Sequence, residues 1–224
     1  MTGFVIRPPA RPAIPVAGGG LFPVRRIFCV GRNYADHARE MGHEPELPFF
    51  FTKPADALLT GGADLPYPSA TADLHFEGEL VVALAGGGRD IAAADAGALV
   101  WGHAAGIDFT RRDLQAEAKK LGRPWDMAKG FDHSAAIGPL HPADAPLTEG
   151  PIRLLLDGEL RQEGDLSQMI LPIPQIIAYL STLVALAPGD LIFTGTPAGV
   201  AACQRGQELR VEIAGLSPLV TRIT

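Results

Sequence analysis

The chain has 224 residues, 47% hydrophobic and 20% charged, which is enough apolar material for one domain with a sizeable core. Its formal net charge of −6 argues against nucleic acid or an anionic membrane surface as the main partner. Its two cysteines, Cys29 and Cys203, lie in no Cys-x-x-Cys or Cys/His spacing, so neither a disulfide framework nor a zinc signature is present.

No run approaches the roughly 20 apolar residues of a membrane span. The opening MTGFVIRPPARPAIPV lacks the continuous apolar stretch of a signal peptide, so the cytoplasm is the expected location. Five prolines and Gly18 to Gly20 make residues 7–23 an expected extended entry segment. Residues 1–24 would then precede a single domain over 25–224.

RIFCVG (26–31) reads as a buried strand, and Asn33 is placed to cap a short helix, YADHAREMG, that Gly42 would end. PFFFTK (48–53) is a second strand closed by Pro54. LHFEGELVVALA (74–85) reads as one strand ended by Gly86 to Gly88. Its faces would be His75, Glu77, Glu79, Val81, Ala83 and Phe76, Gly78, Leu80, Val82, Leu84. Both turn apolar after Glu79, which predicts cover on both sides. ALVWGHAAGIDFT (98–110) is a small-residue strand that delivers Asp108 near its end.

RRDLQAEAKKLG (111–122) predicts a helix with Leu114, Ala118 and Leu121 as its apolar stripe, stopped by Gly122 and Pro124. Asp157-Gly158 is a strong hairpin signal. Pro174 to Ala187 predicts an apolar helix with Gly189 just past its end. DLIFTGTP (190–197) is a strand entering a tight turn, and RVEIAGLSPLVTRI is a closing hairpin. Strands joined mostly as hairpins, with a few helices, predict a mixed, mainly antiparallel α+β architecture.

Several residues bear chemistry. Two carboxylates two residues apart on one strand sit about 6.5–7 Å apart, and burial without a partner forces neutralisation. A solvated edge is the plain alternative for Glu77 and Glu79. With Asp108 they make three oxygen donors, a set suited to Mg²⁺ or Mn²⁺ more than to zinc. His37 and Glu40 are helical neighbours that fit a base and its orienting carboxylate, or simply an exposed helix face. Lys129, in WDMAKG, is either buried against an anion or snorkels. Six cations against three anions between Arg111 and Lys129 form a basic cluster whose plain reading is a solvated face.

GRNYADHAREMG, FFFTKPADALL, FEGELVVAL, GIDFTRRDLQAEAKKLGRPWDMAKGFD, LDGELRQEG and LIFTGTPAGV occur in that order. Together they resemble the fumarylacetoacetate hydrolase family from about residue 25 onward, in its short members made of the catalytic domain alone. Among these, the chain resembles the fumarylpyruvate hydrolases of aromatic-acid (gentisate) breakdown, chiefly through GIDFTRRDLQAEAKKLGRPWDMAKGFD. The resemblance implies a mixed β-roll, a homodimer, and an Mg²⁺ or Mn²⁺ site at Glu77, Glu79 and Asp108. It implies that His37, Glu40 and Lys129 are catalytic and that Arg112, Gln115 and Thr196 bind a small dicarboxylic diketo acid. Gly78, between the two glutamates, stands where many relatives carry Val and would loosen local packing. The implied reaction is hydrolysis of the C–C bond of a 2,4-diketo acid, fumarylpyruvate giving fumarate and pyruvate. Acylpyruvase, oxaloacetate decarboxylase and dienoate isomerase are alternatives within the family. A metal-independent glycoside hydrolase and a non-catalytic acid-binding module are the alternatives outside it.

Overall fold

The computed structural model describes residues 3–40 and 47–224. A small hairpin, β1 (Ala13–Pro15) and β2 (Leu21–Pro23), comes first, turned by Gly18, Gly19 and Gly20, all at positive φ. Next are β3 (Arg26–Gly31), the short helix α1 (Ala35–Glu40), β4 (Phe49–Lys53) and β5 (Leu58–Thr60). Strands β6 (Leu74–Phe76) and β7 (Gly78–Leu84), helix α2 (Ala93–Ala96), and strands β8 (Val100–Asp108) and β9 (Thr110–Arg111) follow. Helices α3 (Arg112–Leu121) and α4 (Asp126–Lys129) lead to β10 (Ala135–Ile137) and β11 (His141–Pro142). The hairpin β12 (Pro151–Leu156) and β13 (Glu159–Asp165) turns at Asp157 and Gly158, at φ 52° and 81°. Helix α5 (Ile173–Leu183), β14 (Asp190–Phe193), β15 (Ala201–Ala202), β16 (Glu208–Ile213) and β17 (Leu219–Arg222) complete the chain.

The central sheet has the order β4-β3-β14-β7-β8-β10-β5, with β11 also paired to β8. β14 runs parallel to β3 and β10 parallel to β5, while the other pairs are antiparallel. A four-stranded antiparallel sheet, β13-β12-β16-β17, and a small sheet, β15-β6-β9, flank it. The mainly β, mixed-sheet expectation holds. No helix among the described residues is long and apolar enough to cross a membrane.

β7 is buried along its whole length. Leu80, Val82 and Leu84 pack into the larger core with Leu154, Val211 and Ile176. Val81 and Ala83 pack into a second core with Ile27, Leu191 and Phe193, which Ile14 and Phe22 of the first hairpin complete. Each buried Val or Leu contributes about 1.5–3 kcal/mol. β7 is therefore a stiff, two-sided support for whatever its first residues carry.

Several local expectations are corrected. Residues 74–85 are not one strand: the chain leaves the small sheet at Phe76 and enters the central sheet at Gly78, with Glu77 between. Residues 13–23 of the entry segment fold back as a hairpin because Ile14 and Phe22 have apolar surface to bury. The amide of Asn33 bonds to Leu171 and Thr194 backbone groups across the fold, not to the α1 terminus. The expected helix end at Gly42, like His43, lies outside the described residues. In α3 the buried side chains are Gln115 and Ala118, whereas Leu121 is exposed, since this helix covers a polar cleft. Gly122 does stop it, at φ 61°. α5 ends at Leu183, earlier than expected, because Leu186 pairs with Gly88.

Candidate active site

The sheet register assembles three carboxylates. β7 pairs with β8 so that Glu79 faces Gly106 and Gly78 faces Ile107. The Asp108 N–H donates to the Glu77 carbonyl at 2.8 Å, which places the end of β8 beside the sheet switch. Glu77, Glu79 and Asp108 are 6%, 2% and 0% exposed, and one carboxylate oxygen of each lies within 4.8 Å of the others. The solvated-edge alternative is thereby excluded.

Three cations meet these carboxylates. Lys129, at the end of α4, donates to Glu77 Oε2 at 2.6 Å and to Asp108 Oδ2 at 2.9 Å. Arg112 donates to Glu77 Oε1 at 2.6 Å and to Gln115 Oε1 at 2.6 Å. Lys53, which sequence reasoning missed, is fully buried with Nζ 2.7 Å from Asp108 Oδ1. It also donates to the carbonyls of Phe109 and Lys129. A lysine ending the aromatic run FFFT carries the same signal that singled out Lys129.

Burial would raise the Glu77 carboxyl, but Lys129 and then Arg112 more than offset this and hold it far below the usual carboxylate range. Glu79 goes the other way: burial, then Asp108 and Glu77, push it well above that range. Among the described residues its one hydrogen bond is from Gly195 N–H at 2.7 Å. Lys129 is held above the lysine range, because Asp108 and Glu77 outweigh burial.

The donor set fits a hard divalent cation. It is all oxygen, buried and closely grouped, and among the described residues no cation forms an ion pair with Glu79. Asp108 Oδ1, though close to the Lys53 ammonium, lies off the hydrogen-bond direction and keeps unused lone pairs in a buried setting. A cation held by Glu77, Glu79 and Asp108 would satisfy both.

One cleft is lined by Glu77, Glu79, His37, Arg112, Gln115, Lys129 and Thr196, so the fold gathers most of the expected site residues. His37 Nδ1 lies 3.2 Å from Glu40 Oε2, and Glu40 accepts from Gly199 N–H at 3.0 and 3.1 Å. Helix α1 is thus tied to the loop after β14, and His37 is turned inward and buried. The Thr196 hydroxyl is already engaged: it donates to the Gly78 carbonyl at 2.8 Å and accepts from Gln162 Nε2 at 2.8 Å. Gln162, also missed from sequence, accepts from Gly78 N–H at 2.9 Å and so locks the switch between the two glutamates. Gly78 is not loosely packed: a Cβ there would meet Leu154 Cδ1 at 3.1 Å and Gln162 Oε1 at 3.3 Å.

Comparison with known proteins agrees with this geometry. Residues 26–224 match the fumarylacetoacetate hydrolase C-terminal family. The crystal structure of fumarylpyruvate hydrolase from Pseudomonas aeruginosa, in complex with Mn²⁺ and pyruvate, superposes with a TM-score of 0.97 at 47% identity over 99% of both chains. The mitochondrial oxaloacetate decarboxylase of Dictyostelium discoideum is 40% identical over 86% of this chain and 90% of its own. The mitochondrial oxaloacetate tautomerase FAHD1 of Bos taurus is 42% identical over 86% of this chain and 88% of its own. With the family match spanning the central sheet, the carboxylate cluster and the cleft alike, the chain belongs to the fumarylacetoacetate hydrolase family.

Proposed function

We propose that the chain is a hydrolase dependent on Mg²⁺ or Mn²⁺ that cleaves the C–C bond of an acylpyruvate, fumarylpyruvate giving fumarate and pyruvate. The observation that carries this is His37, buried in the same cleft as Glu77 and Glu79, with its Nδ1 3.2 Å from the carboxylate of the exposed Glu40. Hydrolysis needs a group to take a proton from water, whereas a bare cation site does not supply one. The P. aeruginosa enzyme, bound to Mn²⁺ and pyruvate, supports the same substrate class.

When bound, the divalent ion supplies Lewis-acid polarisation and a template for the 2-oxo acid end of the substrate. His37 takes a proton from water as the water oxygen adds to the distal carbonyl carbon. Glu40, pinned by the Gly199 N–H, fixes the orientation of the ring. Arg112 occupies the Gln115 carbonyl oxygen, which leaves Gln115 Nε2 to donate, with Lys129, to the oxygen that gathers negative charge. The bond between that carbon and the pyruvate methylene then breaks. Its electron pair goes to the methylene carbon, which takes the proton back from His37. A homodimeric cytoplasmic enzyme of aromatic-acid breakdown is the setting we propose.

Chelator-treated protein should lose fumarylpyruvate hydrolysis, and Mg²⁺ or Mn²⁺ should restore it. Full turnover without metal overturns the proposal. His37→Ala should lower kcat by about 10²–10⁴-fold while calorimetry shows Mn²⁺ affinity little changed. Oxaloacetate enol–keto exchange that outpaces fumarylpyruvate hydrolysis would instead favour the tautomerase chemistry of the Bos taurus relative.

A further inference from the structure

The cleft has a second, outer end. Arg32, Phe49, Trp125 and Lys119 line it beyond the carboxylate cluster. Lys119 Nζ lies 5.2 Å from the centre of the Trp125 ring, and Arg32 Cζ lies 5.5 Å from the centre of Phe49. The two rings touch edge-on with centroids 5.3 Å apart. Two cations are thus fixed against one aromatic pair. Arg32 also holds a left-handed backbone, φ 61°, a conformation that costs energy for a residue with a side chain and recurs at ligand sites.

Lys53, Lys129 and Arg112 contact Asp108 and Glu77, and once Glu79 ionises on a bound cation the three carboxylates would balance these three cations. A divalent ion held by Glu77, Glu79 and Asp108 would add two positive charges, which the 2-oxo acid end of the substrate would meet. Lys119 stands outside this balance, and among the described residues no carboxylate forms an ion pair with it. The residue is exposed overall, yet partial burial of its ammonium first, then the like charges of Arg112 and Arg32, hold it below the usual lysine range, with Glu77 opposing them only in part. Lys119 is four positions after Gln115, so the two lie on one helix face about 6 Å apart along the axis. That is the reach of a four-carbon acyl arm.

We infer that Lys119 binds a carboxylate at the far end of the acyl arm, and that Phe49 and Trp125 favour a flat, unsaturated arm. The cleft then selects acylpyruvates that carry a second acid group, an inference that rests on the hydrolase reading above.

The test compares fumarylpyruvate with acetylpyruvate, whose acyl arm is neutral. Lys119→Met keeps the side-chain stem and removes the charge. The ratio of kcat/KM for fumarylpyruvate to that for acetylpyruvate should fall about 10- to 100-fold, mainly through KM, and Lys119→Arg should restore much of it. Equal losses on both substrates overturn the inference. A second measurement needs no variant: Mn²⁺-loaded wild type should bind fumarate at least about 10-fold tighter than crotonate, with the gap closing at high salt. Equal binding also overturns the inference. If the loaded enzyme turns over neither substrate, the hydrolase reading fails, and the fumarate–crotonate comparison still decides the subsite.

Discussion

Lys53→Met removes one buried charge and keeps most of the side-chain volume. Lys53 is fully enclosed, lies 2.7 Å from Asp108 Oδ1, and donates to the Phe109 carbonyl at 3.1 Å and to the Lys129 carbonyl. The variant leaves two cations facing three carboxylates in a dry setting. Breaking a buried pair from one side costs about 3–5 kcal/mol. For a chain of this length that corresponds to a fall in melting temperature of about 6–20 °C. Saturating Mn²⁺ supplies replacement positive charge, and 100 Kd of it returns about 2.7 kcal/mol. The assay is thermal and urea denaturation of wild type and variant, each with chelator and with Mn²⁺. Because the cost arises from an abandoned carboxylate, adding Asp108→Asn should recover part of it in a double-mutant cycle. Metal-free Lys53→Met that unfolds within 1–2 °C of wild type refutes the reasoning, as does a cycle with no coupling.

Three further outcomes follow from the same structure. His103 is buried, accepts from Leu147 N–H at 3.2 Å, and burial lowers its pKa from 6.5 to about 4. The unfolded chain therefore takes up this proton first, so the folded state loses up to about 3 kcal/mol as pH falls from 6.5 to 4. His103→Gln should flatten that part of the acid-denaturation curve, and an unchanged slope contradicts the assignment. For Glu79 the sign is reversed, because its folded pKa is raised. The metal-free native state holds the extra proton, and its stability falls as pH rises from about 4.3 through the folded pKa. Mn²⁺ uptake at pH 5, followed by calorimetry in buffers of different ionisation enthalpy, should release protons; zero release sinks this reading. Gly78→Val forces atoms against Leu154 and Gln162, which should lower stability by about 1–3 kcal/mol in urea denaturation. An unchanged midpoint would mean the switch between the glutamates is slack after all.

The sequence by itself determined many of the local elements and named candidates for the site. Apolar residues on both faces after Glu79 identified β7 as covered on both sides, Asp157-Gly158 set a hairpin, and Gly122 set the end of α3, because each rests on backbone periodicity or dihedral preference. The motif order pointed to the family and to Glu77, Glu79, Asp108, His37, Glu40 and Lys129. Only the tertiary structure decided what those groups do to one another. It split residues 74–85 between two sheets at Glu77, a change of hydrogen-bonding partner that periodicity does not register. It brought Lys53 onto Asp108 across 55 residues and Gln162 onto Gly78 across 84. It turned the polar side of α3 inward, against the expected apolar stripe, because the neighbouring surface is a charged cleft. Long-range pairing of buried charges depends on which strands lie side by side, and that is a property of the folded sheet and not of any window of sequence.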